Sequence, residues 1–197
     1  VTLGNAATSV TTVDALVGSG ETLTVSAAAL TGTKALTWDG SAETNGSFNI
    51  TGSSQADIIT GGAGADTITG GAGDDTVTAG SGNDTISGGA DTDTIVLGTY
   101  LSSLDTIDGG AGTDELRFTD SGSATSDLDG VTNVETVTLG NAATSVTTVD
   151  ALVGLGETLT VSAAALTGTN ALTWDGSAET NGSCLLYTSP SPRDLST

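Results

Sequence analysis

The sequence predicts an all-β chain, a narrow parallel β-roll continuous with a wider parallel β-solenoid. Three observations lead there. A nine-residue period with one aspartate and one aliphatic residue at fixed places runs through the middle of the chain, and a period of 136 residues brackets it. The remaining apolar residues fall in short alternating runs separated by Gly, Asn, Asp and Ser, which suits strands and turns and not amphipathic helices.

Composition limits the chemistry before any motif is read. The 197 residues include 29 Gly, 24 Asp plus Glu, three Lys plus Arg and no His or Met, for a formal charge of -21. Without His there is no Ser-His-Asp triad, no Cys-His pair and no HExxH zinc helix, so the chain reads as a non-enzyme. The negative charge opposes phosphate backbones and anionic lipid, which argues against nucleic acid and makes cations the natural partners. A hydrophobic content of 36% in strand-like runs separates the chain from disordered acidic segments. No apolar run reaches the roughly 18 residues of a membrane span, no secretory-leader pattern stands at the start, and a chain that opens on Val1 instead of Met reads as a piece of a longer protein.

Taken in chain order, residues 1–51 come first as a β-solenoid segment. Val1 to Ser47 returns as Val137 to Ser183 with 45 of 47 positions identical; only Ser19/Leu155 and Lys34/Asn170 differ. One full period plus the start of the next implies a tandem array. The strand-like runs SVTTVDALV, ETLTVSAAAL and ALTWDG occur in both copies, so 118–183 is read as the second solenoid segment. Trp38 and Trp174 are expected to cover a thin core or a seam between modules.

Residues 52–117 form the nine-residue run. From Gly52 the units are GSSQADIIT, GGAGADTIT, GGAGDDTVT, AGSGNDTIS and GGADTDTIV, with Asp57, Asp66, Asp75, Asp84 and Asp93 always sixth. Ile59, Ile68, Val77, Ile86 and Ile95 are always eighth. After three extra residues, Leu97 to Thr99, a worn unit carries Asp105, and GGAGTDELR restores the pattern with Asp114 and Leu116. Glycines at places one, two and four permit positive φ and close backbone approach, and the aliphatic residue centres a three-residue strand that points inward. Two units close a rung of 18 residues, so alternate units stack about 4.8 Å apart. Asp57, Asp75 and Asp93 then line one edge, and Asp66 and Asp84 the other. Carboxylates about 5 Å apart repel by roughly 3 kcal/mol at an effective dielectric near 20, so the ion-free roll is expected to be unstable. Calcium, with six to eight oxygen ligands at about 2.3–2.6 Å, reverses that sign and suits a flexible turn better than magnesium does.

This run resembles the repeats-in-toxin (RTX) family of nonapeptides, GGxGxDxUx, a calcium-binding parallel β-roll. The resemblance implies Ca2+ between stacked turns, with Asp66 paired with Asp84 and Asp75 with Asp93 as the best sites. It further implies Asp114 as a ligand and turn carbonyls from Gly62, Gly64, Gly71, Gly73, Gly80 and Gly82. Three departures are expected to weaken it: the first unit lacks two glycines, Asp91 replaces a fourth-place Gly, and the three-residue insertion disturbs the pairing of Asp93 with Asp114 and of Asp84 with Asp105. The resemblance also implies secretion to the cell surface or beyond. Two contexts stay open, a large adhesin or surface-layer-like protein with cell-surface or matrix ligands, and the accessory region of a type I-secreted metalloprotease or lipase.

Residues 184–197 break the second copy. They contain both prolines and the single cysteine, and CLLYTSPSPRD resembles one reading frame of a sequencing adapter, so this tail is set aside from the fold. The turn Asp120-Ser121-Gly122 resembles an aspartic-protease turn, but no facing partner turn exists.

Overall fold

The computed structural model describes residues 1–6, 8–119, 128–142, 144–148, 152–154, 156–178, 180 and 182–188. The Asp120–Gly122 turn and the tail from 189 onward lie outside them. The described residues form seventeen strands. β1 (Thr8–Thr11), β2 (Thr22–Ser26), β3 (Leu36–Asp39) and β4 (Ser47–Thr51) come from the first copy of the long repeat. The nonapeptides supply β5 (Ile58–Thr60), β6 (Thr67–Ala72), β7 (Thr76–Thr78), β8 (Thr85–Ala90), β9 (Thr94–Gly98), β10 (Thr106–Ala111) and β11 (Glu115–Phe118). Then follow β12 (Val131–Thr132), β13 (Thr136–Leu139), β14 (Thr144–Thr147), β15 (Thr158–Ala163), β16 (Leu172–Asp175) and β17 (Ser183–Thr188).

Every pairing is parallel, and alternate strands go to opposite sides. The odd strands β1 to β13, with β15 and β17, build a nine-stranded sheet; the even strands β2 to β12 build a six-stranded sheet; β14 and β16 pair separately. The chain is thus a flattened parallel β-solenoid with two strands to a rung. No helix among the described residues is long and apolar enough to cross a membrane.

The periodicity explains the geometry. In each Asp-Thr-Ile-Thr or similar run the side chains alternate, so one aliphatic residue per strand points inward. Ile50, Ile68, Ile86 and Ile107 stack in the six-stranded sheet, and Ile59, Val77, Ile95 and Leu116 face them, all at 1% exposure or less. Each buried aliphatic residue contributes about 1.5–3 kcal/mol, so the roll lives on a single file of them. The long-repeat rungs are wider. Val25 pairs with Ile50 and Val10 with Trp38, intervals of 25 and 28 residues against 18 within the nonapeptides. The extra chain brings larger core residues: Trp38 and Phe48 are buried and meet edge to face, centroids 5.4 Å apart at 81°. Trp38 therefore covers the core, while Trp174 is only partly buried against it.

Two features differ from the expectation. The strands β6, β8 and β10 are six residues long and not three, because their glycines lack the Cβ atoms that would hold successive turns apart. Gly71, Gly89 and Gly110 pair directly. Second, the insertion Leu97–Thr99 does not disturb the aspartate pairing. Leu97 extends β9 and is buried, Gly98 reverses the chain at φ 56°, and Tyr100 N–H closes the turn onto the Leu97 carbonyl at 3.0 Å. The surplus residues bulge at the rim, with Tyr100 and Leu104 exposed. Only the β9–β11 ladder slips, between Arg117 and Phe118.

The identical copies do not land on the same side. β2 belongs to the six-stranded sheet, yet β15, its counterpart in the second copy, belongs to the nine-stranded one; there it pairs with β17, which begins on the copy's last residue, Ser183, and draws Cys184–Thr188 of the tail set aside above into the sheet. A strand and its copy stand thirteen places apart in the strand order, an odd offset, so the second copy starts half a rung out of step.

Candidate metal centre

Each strand of the roll is entered through an aspartate with an aliphatic residue two places on, and in five of the seven the residue between them is Thr. Those acids are buried: Asp57, Asp66, Asp75, Asp84, Asp93, Asp105 and Asp114 are all at 2% exposure or less. Their Oδ1 atoms build two ladders along the solenoid. On one edge Asp57 accepts the Leu36 N–H at 2.6 Å, Asp75 that of Asp57 at 2.7 Å, Asp93 that of Asp75 at 2.8 Å and Asp114 that of Asp93 at 2.8 Å. On the other edge Asp66 accepts the Phe48 N–H at 2.7 Å, Asp84 that of Asp66 at 2.8 Å and Asp105 that of Asp84 at 2.8 Å. The pairs Asp75/Asp93 and Asp66/Asp84 are therefore neighbours in the stack, and so are the two pairs flanking the insertion.

The second carboxylate oxygens differ from turn to turn along the ladders. Asp66 Oδ2 accepts the Gly62 N–H at 2.7 Å, Asp105 Oδ2 the Ser102 N–H at 2.8 Å, and Asp57 Oδ2 the Ser53 N–H. The Oδ2 atoms of Asp75, Asp93 and Asp114 are buried and have no hydrogen-bond partner. A buried orphan acceptor costs about 1–3 kcal/mol, more when charged. Burial pushes the Asp75 carboxyl up to about 7, reinforced by Asp57, Asp93 and Asp74, and raises Asp84 and Asp93 to about 6. It raises Asp66 and Asp114 as well. Among the described residues no basic side chain forms an ion pair with them; Arg117 is engaged by Glu115 at 2.7 Å.

The glycines hold the turns close enough to share a ligand. A Cβ on Gly70 or Gly88 would run into the orphan oxygen of Asp75 or Asp93 and into the first-place carbonyl of the next turn. The carbonyl oxygens of Gly62, Gly64 and Gly71 lie directly against the α-carbons of Gly80, Gly82 and Gly89, and Gly73 sits on the Gln55–Ala56 peptide in the same way. These carbonyls are not idle: the Gly62 oxygen accepts the Ser81 N–H at 3.0 Å. Asp91 occupies a fourth place in the glycine's own conformation, φ 80°, and its carboxylate accepts the Gly73 N–H at 3.1 Å, so the departure from glycine is absorbed locally. At Gly80, where φ is 102° and the Gly62 carbonyl fills the Cβ position, alanine has no such escape. Gly80→Ala is expected to cost about 3 kcal/mol in urea unfolding. The exposed third-place Ala63→Ser should stay within about 0.5 kcal/mol.

The donor set is all oxygen. Among the described residues no three His, Cys, Asp or Glu side chains converge on one point, so an ion at these corners would have to be held by one or two carboxylates together with backbone carbonyls. Such hard, adaptable sets suit calcium and exclude the nitrogen and sulfur coordination of zinc. The orphan oxygens of Asp75, Asp93 and Asp114, each beside a carbonyl, fit a cation; Asp66 offers an oxygen already capped by Gly62. Bound there, the ion would neutralise the column and satisfy the orphan oxygens.

Three acids escape a reading confined to the nonapeptides. Glu43 is fully buried, its carboxylate accepting the N–H of Val17 at 3.0 Å and of Gly46 at 3.2 Å, and it ties the loop before β2 to the turn before β4. Glu135 extends the first ladder by one step, accepting the Asp114 N–H at 2.7 Å, but its own N–H turns to the Asp114 carbonyl and Glu157 lies two residues out of register with it. Burial raises Glu135, with Asp114 and Glu157 adding to it. Their signal was present in the triplets Glu135-Thr136-Val137 and Glu157-Thr158-Leu159, which repeat the pattern of Asp75-Thr76-Val77 without the glycines.

A parallel solenoid whose corners are stacked acidic turns belongs to the class of cation-binding repeat proteins. The family model described as RTX calcium-binding nonapeptide repeat (4 copies) matches residues 49–77, 69–99 and 103–118, about a third of the chain. This stretch consists of RTX repeats, and the chain carries a calcium-binding repeat module. No curated protein and no solved structure matches the chain.

Proposed function

We propose that this chain is a structural unit of a tandem array in a large secreted bacterial adhesin or surface-layer-like protein, in which calcium folds and stiffens the roll. Residues 52–117 are the ion-binding part, and 1–51 and 118–183 are the wider spacers between successive rolls. The observation that carries this reading is the repeat of 45 identical residues in 47, both copies continuing parallel strand pairing of the same kind. An array built on an exterior ion needs no catalytic group; it folds where calcium is plentiful and stays extended where calcium is scarce.

The strand count adds a geometric expectation. Thirteen strands at two per rung are six and a half rungs, about 31 Å of axial rise for each 136 residues at ~4.8 Å per rung. Successive modules then turn by half a revolution, so a given face recurs about every 62 Å. Small-angle scattering of chains carrying two, three and four modules in millimolar calcium should show rods lengthening by about 31 Å per module, and expanded chains in EDTA. Globular particles, or rods of the same length in both buffers, would remove this reading.

A further inference from the structure

We propose that the first copy of the long repeat presents a docking face for the end of a roll in a neighbouring copy of this module, anchored on Leu16 and on the edge Val1–Leu3. The proposal rests on the array reading and adds what joins one module to the next. Identical residues of the two copies differ in exposure on this side. Leu16 is 46% exposed and its counterpart Leu152 is fully buried; Val1 is 69% exposed and Val137 fully buried; Leu3 is half-buried and Leu139 buried. The local backbone is not the cause. Glu21 N–H closes onto the Gly18 carbonyl at 2.9 Å, as Glu157 N–H does onto that of Gly154 at 3.1 Å, and Thr2 pairs with Ser26 as Thr138 does with Ser162.

What differs is the cover, and the second copy shows it. Val134 N–H donates to the Leu152 carbonyl at 2.8 Å, and Leu128, Val131 and Val134 are buried in the same core. On the other flank β11 pairs Leu116 with Val137 and Phe118 with Leu139. The end of the roll, Glu115–Phe118 with Leu128–Glu135, thus supplies both the strand and the apolar cover. In the first copy, among the described residues, no N–H reaches the Leu16 carbonyl and no strand lies on the far edge of Val1–Leu3.

The occupant follows from the identity of the two copies. Residues 1–17 and 137–153 are the same sequence, so a surface that accepts this roll end in the second copy accepts it in the first. An unpaired parallel edge beside exposed apolar residues takes a further strand, and a neighbouring module offers that strand in register. The contact is heterologous, one end of a module meeting the opposite end of the next, so it propagates without closing. Neighbouring modules then form one continuous solenoid in place of independent beads.

A full chain with residues 52–136 placed again ahead of Val1 tests this against the parent, both in millimolar calcium. Hydrogen exchange of peptides covering Leu16–Glu21 and Leu152–Glu157 is separable by mass, because Ser19 stands where the second copy has Leu155. In the parent the first peptide is expected to exchange at least about tenfold faster than the second, and in the extended chain to slow until the two match. Leu16→Ala should lower the melting temperature of the parent by no more than about 2 °C and that of the extended chain by about 8 °C, the loss expected of Leu152→Ala in either. Fast exchange at Leu16 and a silent Leu16→Ala in the extended chain would overturn the docking face, leaving separate modules if scattering still shows the added length. No added length would remove the array reading itself, and the docking face with it.

Discussion

Calcium added to the ion-free chain at pH 7.5 is expected to raise its melting temperature by about 20 °C, and Asp75→Asn with Asp93→Asn to remove most of that gain. Three independent sites at a hundredfold excess over Kd contribute about 8 kcal/mol by mass action, and a chain of this length shifts by about 2–4 °C per kcal/mol. Asp75 and Asp93 are chosen because their Oδ2 atoms are buried without a partner, whereas an Asn side-chain oxygen still accepts the ladder N–H of Asp57 or Asp75. The parallel pair Asp66→Asn with Asp84→Asn should lose less, since the Gly62 N–H already holds the second oxygen of Asp66. Differential scanning calorimetry with calcium and with EDTA decides it. Equal melting temperatures of the parent in the two buffers would refute calcium-linked folding, and equal losses from the two double variants would refute the ranking of the edges.

Without calcium, stability should fall as pH rises from 4 to 7.5. Burial holds Asp75 at about 7 and Asp84 and Asp93 at about 6, all above the ordinary 3.8, so the folded state keeps protons that the unfolded state has released. A raised carboxyl contributes stability that is fully present below about 4 and lost as pH climbs through 6 to 7. Even a tenfold change in proton affinity at three carboxylates is worth about 4 kcal/mol, or ~10 °C for this length. The neighbouring acids titrate as a column, so the fall should be broad. Asp75→Asn removes its steepest part. That variant is therefore expected to melt higher than the parent in EDTA at pH 7.5 and lower in calcium, a reversal that a packing defect would not produce. Thermal melts in EDTA from pH 4 to 8 measure it, and a melting temperature that climbs with pH would contradict the origin assigned to these shifts.

Much of this site is legible in the chain. Asp57, Asp75 and Asp93 share one edge and Asp66 and Asp84 the other because nine residues make half a rung, and that arithmetic needs no coordinates. The insertion is where the arithmetic misleads. Counting residues suggests that Leu97–Thr99 breaks the register, but hydrogen bonding and the buried Leu97 hold the ladder, and the surplus is expelled at the rim. Glu135 is obscured for the opposite reason: it lacks the flanking glycines, although the acid-Thr-aliphatic triplet marks it, while the same triplet at Glu157 falls two residues out of register with the ladder. Which oxygen of each aspartate is capped depends on whether Gly62, Ser53 or Ser102 turns its N–H inward, and no pattern of residue types encodes that rotation.

By itself the sequence determined the all-β architecture, the 18-residue rung and the inward file of Ile and Val, because all three follow from alternation and glycine spacing within a few neighbouring residues. The tertiary structure alone decided the side of the solenoid on which each copy of the long repeat lies. Leu36 is fully buried and Leu172, in the same LTWD strand of the second copy, is not, since β3 is flanked by β1 and β5 whereas β16 pairs with β14. Identical residues thus meet different surroundings, because parallel stacking counts strands, and the copies are offset by an odd number of them.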